Sequence, residues 1–133
     1  MTNAPGRAAL GRSFAHRYQQ IDLASRVESS TPHALVTMLY LELNIALTVM
    51  LRAAEAEDVK RRLAYHERAS SILCTLEASL DRVRGGDLAM TLSGIYRQMR
   101  RRLLAGRSGD LEAIVEVKEG LASLADAWAK IDA

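Results

Sequence analysis

Apolar residues recur at helical spacing along most of the chain, and the first series follows a clear start signal at Thr31-Pro32. A threonine side chain can cap a helix, and proline suits the first helical position because no amide proton is needed there. The apolar residues that follow keep to one helical face. They are Leu35, Leu39, Leu43, Ala46, Leu47, Met50 and Ala54. The pattern predicts a first helix over residues 32–56.

Three further series predict helices over residues 58–84, 87–105 and 110–131. Asp58 is the expected N-cap of the second helix, and Asp87 is the expected N-cap of the third. The glycine pair before Asp87 supplies a stop, since glycine tolerates the left-handed backbone of a helix C-cap. The fourth series advances in alternating steps of three and four, which is typical of a helix in an antiparallel bundle.

The connections between these helices are short, so consecutive helices must run antiparallel. Residues 1–15 contain glycine and proline without periodicity and are expected to form a mobile tail. Residues 16–29 allow either a short helix or an ordered arm. Their apolar residues are Tyr18, Ile21, Leu23 and Val27. We predict an all-α, antiparallel up-down four-helix bundle with a mobile N-terminal arm, in which residues 16–133 form the four-helix domain.

Composition supports the helical prediction and also indicates the cellular compartment. Hydrophobic residues make up 49% of the chain, aromatic residues only 5%, and there are two prolines. The single cysteine excludes an intramolecular disulfide and suits a reducing compartment. The N-terminus lacks the apolar run of a signal peptide, and no stretch approaches the roughly 20 apolar residues of a membrane span. We therefore expect a cytoplasmic protein without membrane insertion.

The sequence offers few candidates for chemistry. Histidines at 16, 33 and 66 lack the spacing of metal ligands, so we expect no metal, no cofactor and no catalytic residue. His66 is the one candidate for a histidine phosphotransfer bundle, although a solvated polar position explains it better. Cys74 is expected to be a buried or half-buried small hydrophobic residue.

The strongest cluster of charge lies between Arg97 and Arg102, near the end of the third helix. Its four arginines spread around most of the helix circumference, and cations near a helix C-terminus complement the helix dipole. The net charge of only +2 gives no indication of a nucleic-acid partner, and we expect none. The surplus of apolar residues on the first and third helices instead favours a surface that binds another protein, as do five adaptable methionines.

Four pieces of the chain, in order, resemble the flagellin export chaperone family, FliS. The first is the segment from Ser29 to Tyr40, preceded by Tyr18-Gln19-Gln20. The second is the turn Gly85-Gly86-Asp87. The third and fourth are a helix with Leu92-Ser93, Ile95-Tyr96, Met99 and Arg101-Arg102-Leu103-Leu104, and a last helix with Glu116-Val117, Gly120-Leu121 and Ala127-Trp128.

The resemblance implies a cytoplasmic chaperone that binds the disordered C-terminal segment of flagellin, prevents its premature polymerisation and delivers it to the flagellar type III export apparatus. The flagellar export gate is a second implied partner, and we expect a monomer or a weak homodimer. The alternatives are a histidine phosphotransfer-type four-helix signalling domain and another kind of helical protein-binding adaptor.

The resemblance also suggests which residues would contact the client. The expected client groove comprises Leu39, Tyr40, Leu88, Leu92, Ile95, Tyr96, Met99 and Leu103, and the arm anchors are Tyr18, Ile21 and Leu23. The chain departs from the family pattern at Leu41-Glu42, where Asp-Gly is usual, and at Arg97-Gln98, where Asp-Tyr is usual. The second departure reverses a charge on the third helix.

Overall fold

A computed structural model of the protein describes residues 31–82 and 86–131. The helices are α1 (Pro32–Glu55), α2 (Val59–Ala78), α3 (Asp87–Arg107) and α4 (Leu111–Ala129), with a short 3-10 helix over Ser79–Arg82. The described residues contain no strand, so the predicted all-α class is confirmed. The predicted tail and the arm residues Tyr18, Ile21 and Leu23 lie outside the described residues.

The start and end of each helix follow local chemistry. Asp58 caps α2, where its Oδ1 accepts a hydrogen bond of 3.2 Å from the amide of Arg61. Asp110 caps α4 in the same way, with an equal distance from the amide of Ala113. Asp87, however, is the first residue of α3 and not its cap, because Gly86 occupies the cap position with a φ of 84°. That left-handed backbone favours glycine.

The second helix ends earlier than the predicted residue 84. Its α-helical hydrogen bonding stops at Ala78, and the Ser79 hydroxyl donates a 2.7 Å hydrogen bond to the carbonyl of Leu76. Serine side chains compete for backbone groups in this way at helix ends. The chain then tightens into the 3-10 helix, which is common at a helix C-terminus.

Each helix packs against its neighbours in the chain, and α4 closes the bundle against α1. Hydrogen bonds between helices show the relative directions in which the helices run. His33 near the start of α1 contacts Trp128 near the end of α4, whereas Asn44 farther along α1 meets Lys118 farther back on α4. Between α2 and α3, Glu77 contacts Ser93, and Arg62 donates to the Arg107 carbonyl. Neighbouring helices are therefore antiparallel, as predicted.

The core is aliphatic, with two tyrosines at its centre. Tyr40 of α1 and Tyr96 of α3 are buried, and their hydroxyl groups form a 2.8 Å hydrogen bond. Burial first, and for Tyr40 also the contact with Tyr96, raises the pKa of both phenols. The shared hydrogen bond places the two polar groups inside an otherwise apolar core without leaving them unpaired.

Helix α1 supplies the largest share of the core. Its buried face contains Leu35, Val36, Leu39, Tyr40, Leu43, Ala46, Leu47, Met50, Ala53 and Ala54. Among the described residues, α1 is also the one helix long and apolar enough to cross a membrane. The expectation that no stretch approaches a membrane span is therefore wrong for α1 by length and composition. The core helix of a soluble protein can pass the same test, and ten residues of α1 are buried.

Candidate functional site

An open groove of about 850 Å³ runs along the surface between α3 and α4. Apolar side chains from both helices form its floor, chiefly Ile95, Met99, Val117, Leu124 and Ala127. Gly120 lies beside this floor, where an added Cβ atom would make an ordinary contact of 3.6 Å with the Met99 methyl group. We call this the α3–α4 groove. Its apolar floor and solvent-open top suit a helical segment of another protein.

One end of the α3–α4 groove is closed by a charged cluster. The guanidinium of Arg102 donates a hydrogen bond to the Glu116 carboxylate and lies 4.0 Å from the Asp110 carboxylate. The hydrogen bond with Glu116 raises the pKa of Arg102, and it lowers the pKa of Glu116. Both side chains are substantially exposed, so the ion pair orients the groove end more than it stabilises the fold.

A second, smaller groove of about 270 Å³ lies on the other side of α4, against α1. Leu41, Tyr40, Leu121, Ala125 and Trp128 supply its apolar lining, and we call it the α1–α4 groove. Helix α4 therefore has an apolar groove along each of its two flanks.

A reciprocal contact between His33 and Trp128 holds the end of the α1–α4 groove. The Trp128 Nε1 donates a 3.1 Å hydrogen bond to the His33 carbonyl, and the His33 Nε2 donates a 3.0 Å bond to the Trp128 carbonyl. The two rings stack with centroids 4.9 Å apart. These contacts fix the start of α1 against the end of α4.

Comparison with known proteins decides the family. The family model described as flagellar protein FliS matches residues 14–133. The chain belongs to the FliS family. It is 38% identical over 116 residues to the flagellar secretion chaperone FliS of Salmonella typhimurium strain LT2, and the match covers 86% of each chain. The resemblance predicted from the motifs is thus confirmed.

Two further relatives carry the same kind of name. The flagellar secretion chaperone FliSB of Pseudomonas aeruginosa is 30% identical over 113 residues, covering 84% of this chain and 90% of that protein. The flagellar secretion chaperone FliS of Escherichia coli K12 is 31% identical over 116 residues, covering 84% and 83%. These relatives are named as chaperones, which is a non-enzymatic role.

The predicted groove residues of this family member separate into three sets. Ile95 and Met99 line the α3–α4 groove, and Tyr40 lines the α1–α4 groove. Leu88 is exposed at the start of α3. The remaining four are buried in the core and line neither groove, namely Leu39, Leu92, Tyr96 and Leu103. These four residues belong to the core of the bundle.

The α4 side of both grooves went unpredicted. Gly120, Ser123 and Ala127 recur at steps of three and four on α4, and all three line the α3–α4 groove. Small residues repeated along one helical face let another helix approach closely. The stripe of small residues beside Leu124 was therefore the feature of the sequence that could have indicated a binding surface on α4. The apolar series of α4 serves two surfaces, because Ile114 and Leu121 are buried in the core, whereas Leu124 lines the α3–α4 groove.

Two predictions about single residues are wrong. His66 is not solvated, because only 7% of it is exposed and neither ring nitrogen has a hydrogen-bond partner among the described residues. A histidine placed in this way cannot present its ring to a phosphate donor. Cys74 is exposed instead of buried, and its sulfur accepts a contact of 3.3 Å from Arg100. The part of the chain described here contains no cluster of potential metal ligands.

Proposed function

We propose that this FliS-family protein is a cytoplasmic chaperone that binds the disordered C-terminal segment of flagellin. Binding keeps that segment from polymerising, and the complex is delivered to the flagellar type III export apparatus, including its gate. The protein catalyses no reaction in this role. The observation that carries the proposal is the open apolar α3–α4 groove on a chain whose relatives are named flagellar secretion chaperones.

The physical argument concerns what a disordered segment needs in order to bind. An amphipathic segment that folds on binding must bury enough apolar surface to offset its ordering cost of about 2–5 kcal/mol or more. One groove along α4 offers a site for one such helix, and the α1–α4 groove offers a further apolar strip on its opposite flank. A client that uses both grooves would wrap around α4, and a single bundle suffices for a one-to-one complex.

Ile95 provides the test of this proposal. Its side chain is only partly buried and lines the α3–α4 groove, so an aspartate there places a charge on the groove floor while the bundle can remain folded. We expect Ile95→Asp to weaken binding of the flagellin C-terminal segment at least tenfold in calorimetry. Leu92→Asp is unsuitable because Leu92 is 3% exposed, and a buried charge there would unfold the protein.

Leu104→Asp is the matched control. Leu104 lies on the same helix and is 59% exposed, and it does not line the groove. It should bind the segment as the unaltered protein does, and circular dichroism should show all three proteins folded. If the unaltered protein fails to bind the C-terminal segment of the flagellin from its own genome, the proposed function is refuted.

A further inference from the structure

The two long edges of the α3–α4 groove carry opposite charges. On the α3 edge, Arg101 lines the groove and is exposed, and Arg97 lies one helical turn before it on the same face. On the α4 edge, Ser123 lines the groove. The exposed acidic residues Glu119 and Asp126 lie one turn to either side of it, just outside the lining, and the exposed Lys130 follows Asp126 by four residues. Beside its apolar floor the groove therefore has basic residues on the α3 edge and, as far as Asp126, acidic residues on the α4 edge.

The charges on these edges are available to a partner. Arg100 is paired with Glu77, and Arg102 is paired with Glu116 and Asp110. By contrast, none of the four edge residues takes part in an ion pair with another described residue. The arginines between 97 and 102 therefore divide into two kinds. Arg100 and Arg102 are paired with acidic residues of neighbouring elements, whereas Arg97 and Arg101 face solvent beside the apolar floor.

We propose that the α3–α4 groove selects a client helix with an acidic stripe on one side of its apolar face and a basic stripe on the other. The acidic stripe would face Arg97 and Arg101, and the basic stripe would face Glu119 and Asp126. This inference rests on the proposed function, because the helix in question belongs to the flagellin segment. It adds the chemistry that determines which helix fits.

Opposite charges on the two edges also select the direction of the bound helix. Turning an amphipathic helix end for end in a groove, with its apolar face kept down, exchanges its left and right stripes. In the wrong direction, acidic residues would therefore meet Glu119 and Asp126, and like charges at close range are repulsive. The α3 side of the groove spans Ile95 to Ala105, about 15 Å at 1.5 Å per residue, which accommodates roughly three turns of helix.

Reversal of single charges tests the inference. We expect Arg101→Glu and Glu119→Lys each to weaken binding of the flagellin C-terminal segment about fivefold at low salt, and the loss should shrink as salt screens it. The matched controls are Lys60→Glu and Glu55→Lys. These exposed residues lie at the start of α2 and the end of α1, away from the groove, and their substitutions change the net charge equally.

The outcomes separate this inference from the proposed function. Weaker, salt-sensitive binding in both edge variants and unchanged binding in both controls supports opposite-charge selection. Unchanged binding in either edge variant, while the unaltered protein binds tightly, overturns it and leaves the proposed function standing. If the unaltered protein does not bind the segment, both fall. Loss of binding in the edge variants that persists undiminished at high salt also overturns the inference, since the effect would not be electrostatic.

Discussion

The hydroxyl groups of Tyr40 and Tyr96 lie 2.8 Å apart and join α1 to α3 across the core of the bundle. These two helices are not neighbours in the chain, so the hydrogen bond links opposite sides of the structure. Tyr96 is inaccessible to solvent, and Tyr40 is 3% exposed. A buried hydroxyl that loses its partner retains its desolvation cost, so the pair acts as a unit.

We first predict that removing both hydroxyl groups costs less stability than the sum of the two single removals. Tyr40→Phe and Tyr96→Phe should each lower the free energy of unfolding by about 1–3 kcal/mol, because each leaves one buried hydroxyl unpaired. The double variant should lose much less than the sum of the two. Urea unfolding of all four proteins completes the cycle, and strictly additive losses would contradict the prediction. Tyr65→Phe, at a half-buried site, is the control.

The same pair should make the fold sensitive to alkali. Burial raises the pKa of Tyr40 far above its ordinary value of about 10. Above pH 10 the unfolded chain therefore loses a proton that the folded chain keeps, and stability must fall as pH rises. The double phenylalanine variant should show a shallower fall between pH 9 and 11 in urea unfolding. Equal slopes in the two proteins would show that the tyrosines are not the source.

His66 predicts a loss of stability on mild acidification. Burial lowers its pKa below 6.5, and the positive charge of Arg107 lowers it further, whereas Glu67 opposes the shift. As pH falls below 6.5, the unfolded chain gains a proton before the folded chain does, so the folded state loses stability until its own pKa is reached. A histidine stabilised by an acidic partner would have the opposite effect, because its protonation would make the folded state more stable as the pH falls.

Replacement of His66 with leucine tests that origin. The His66 side chain has no hydrogen-bond partner among the described residues. An apolar residue of similar size therefore removes the cost of burying the imidazole without breaking a hydrogen bond. His66→Leu should unfold at a higher urea concentration than the unaltered protein at pH 5.5, and the gap should narrow at pH 7.5. A gap that is equal at both values would exclude His66 as the titrating group.

Two glycines of α3 predict opposite effects of the same substitution. At Gly106 an added Cβ would lie 2.7 Å from Cγ1 of Ile114, whereas at Gly94 it would meet nothing within 4 Å. Gly106→Ala should lower the free energy of unfolding by about 1–3 kcal/mol, because α3 and α4 would have to move apart. Gly94→Ala should raise it by about 1 kcal/mol, since alanine is the better helix former. Thermal or urea unfolding compares the two, and stabilisation at both positions would contradict the close packing.

Much of the architecture was predictable because its causes are local. The predicted cap at Asp58 depends on a side chain and an amide three residues later, and the apolar series of each helix depends on a period of 3.6 residues. The predicted cap at Asp87 was one residue late, because Gly86 takes that position. The family could also be recognised from short motifs in order. None of these inferences requires knowledge of which helices touch.

The binding surface was only partly predictable, because an apolar residue at helical spacing can face the core or a groove. Periodicity places Leu92, Ile95, Tyr96 and Met99 within one broad apolar sector of α3 but does not say where the neighbouring helices end. In the bundle, Leu92 and Tyr96 face inward, while Ile95 reaches the groove beside α4. His66 and Cys74 were misassigned for the same reason, since packing buries one and exposes the other.

The sequence by itself therefore determined the helices, their order and antiparallel sense, and the family, because capping, period and loop length act within a few residues. Only the tertiary structure decided which apolar side chains line the two grooves, that Tyr40 meets Tyr96, and which arginines are paired. Those properties depend on the rotation of each helix about its axis, which is set by packing against α4 and α1 over the whole bundle.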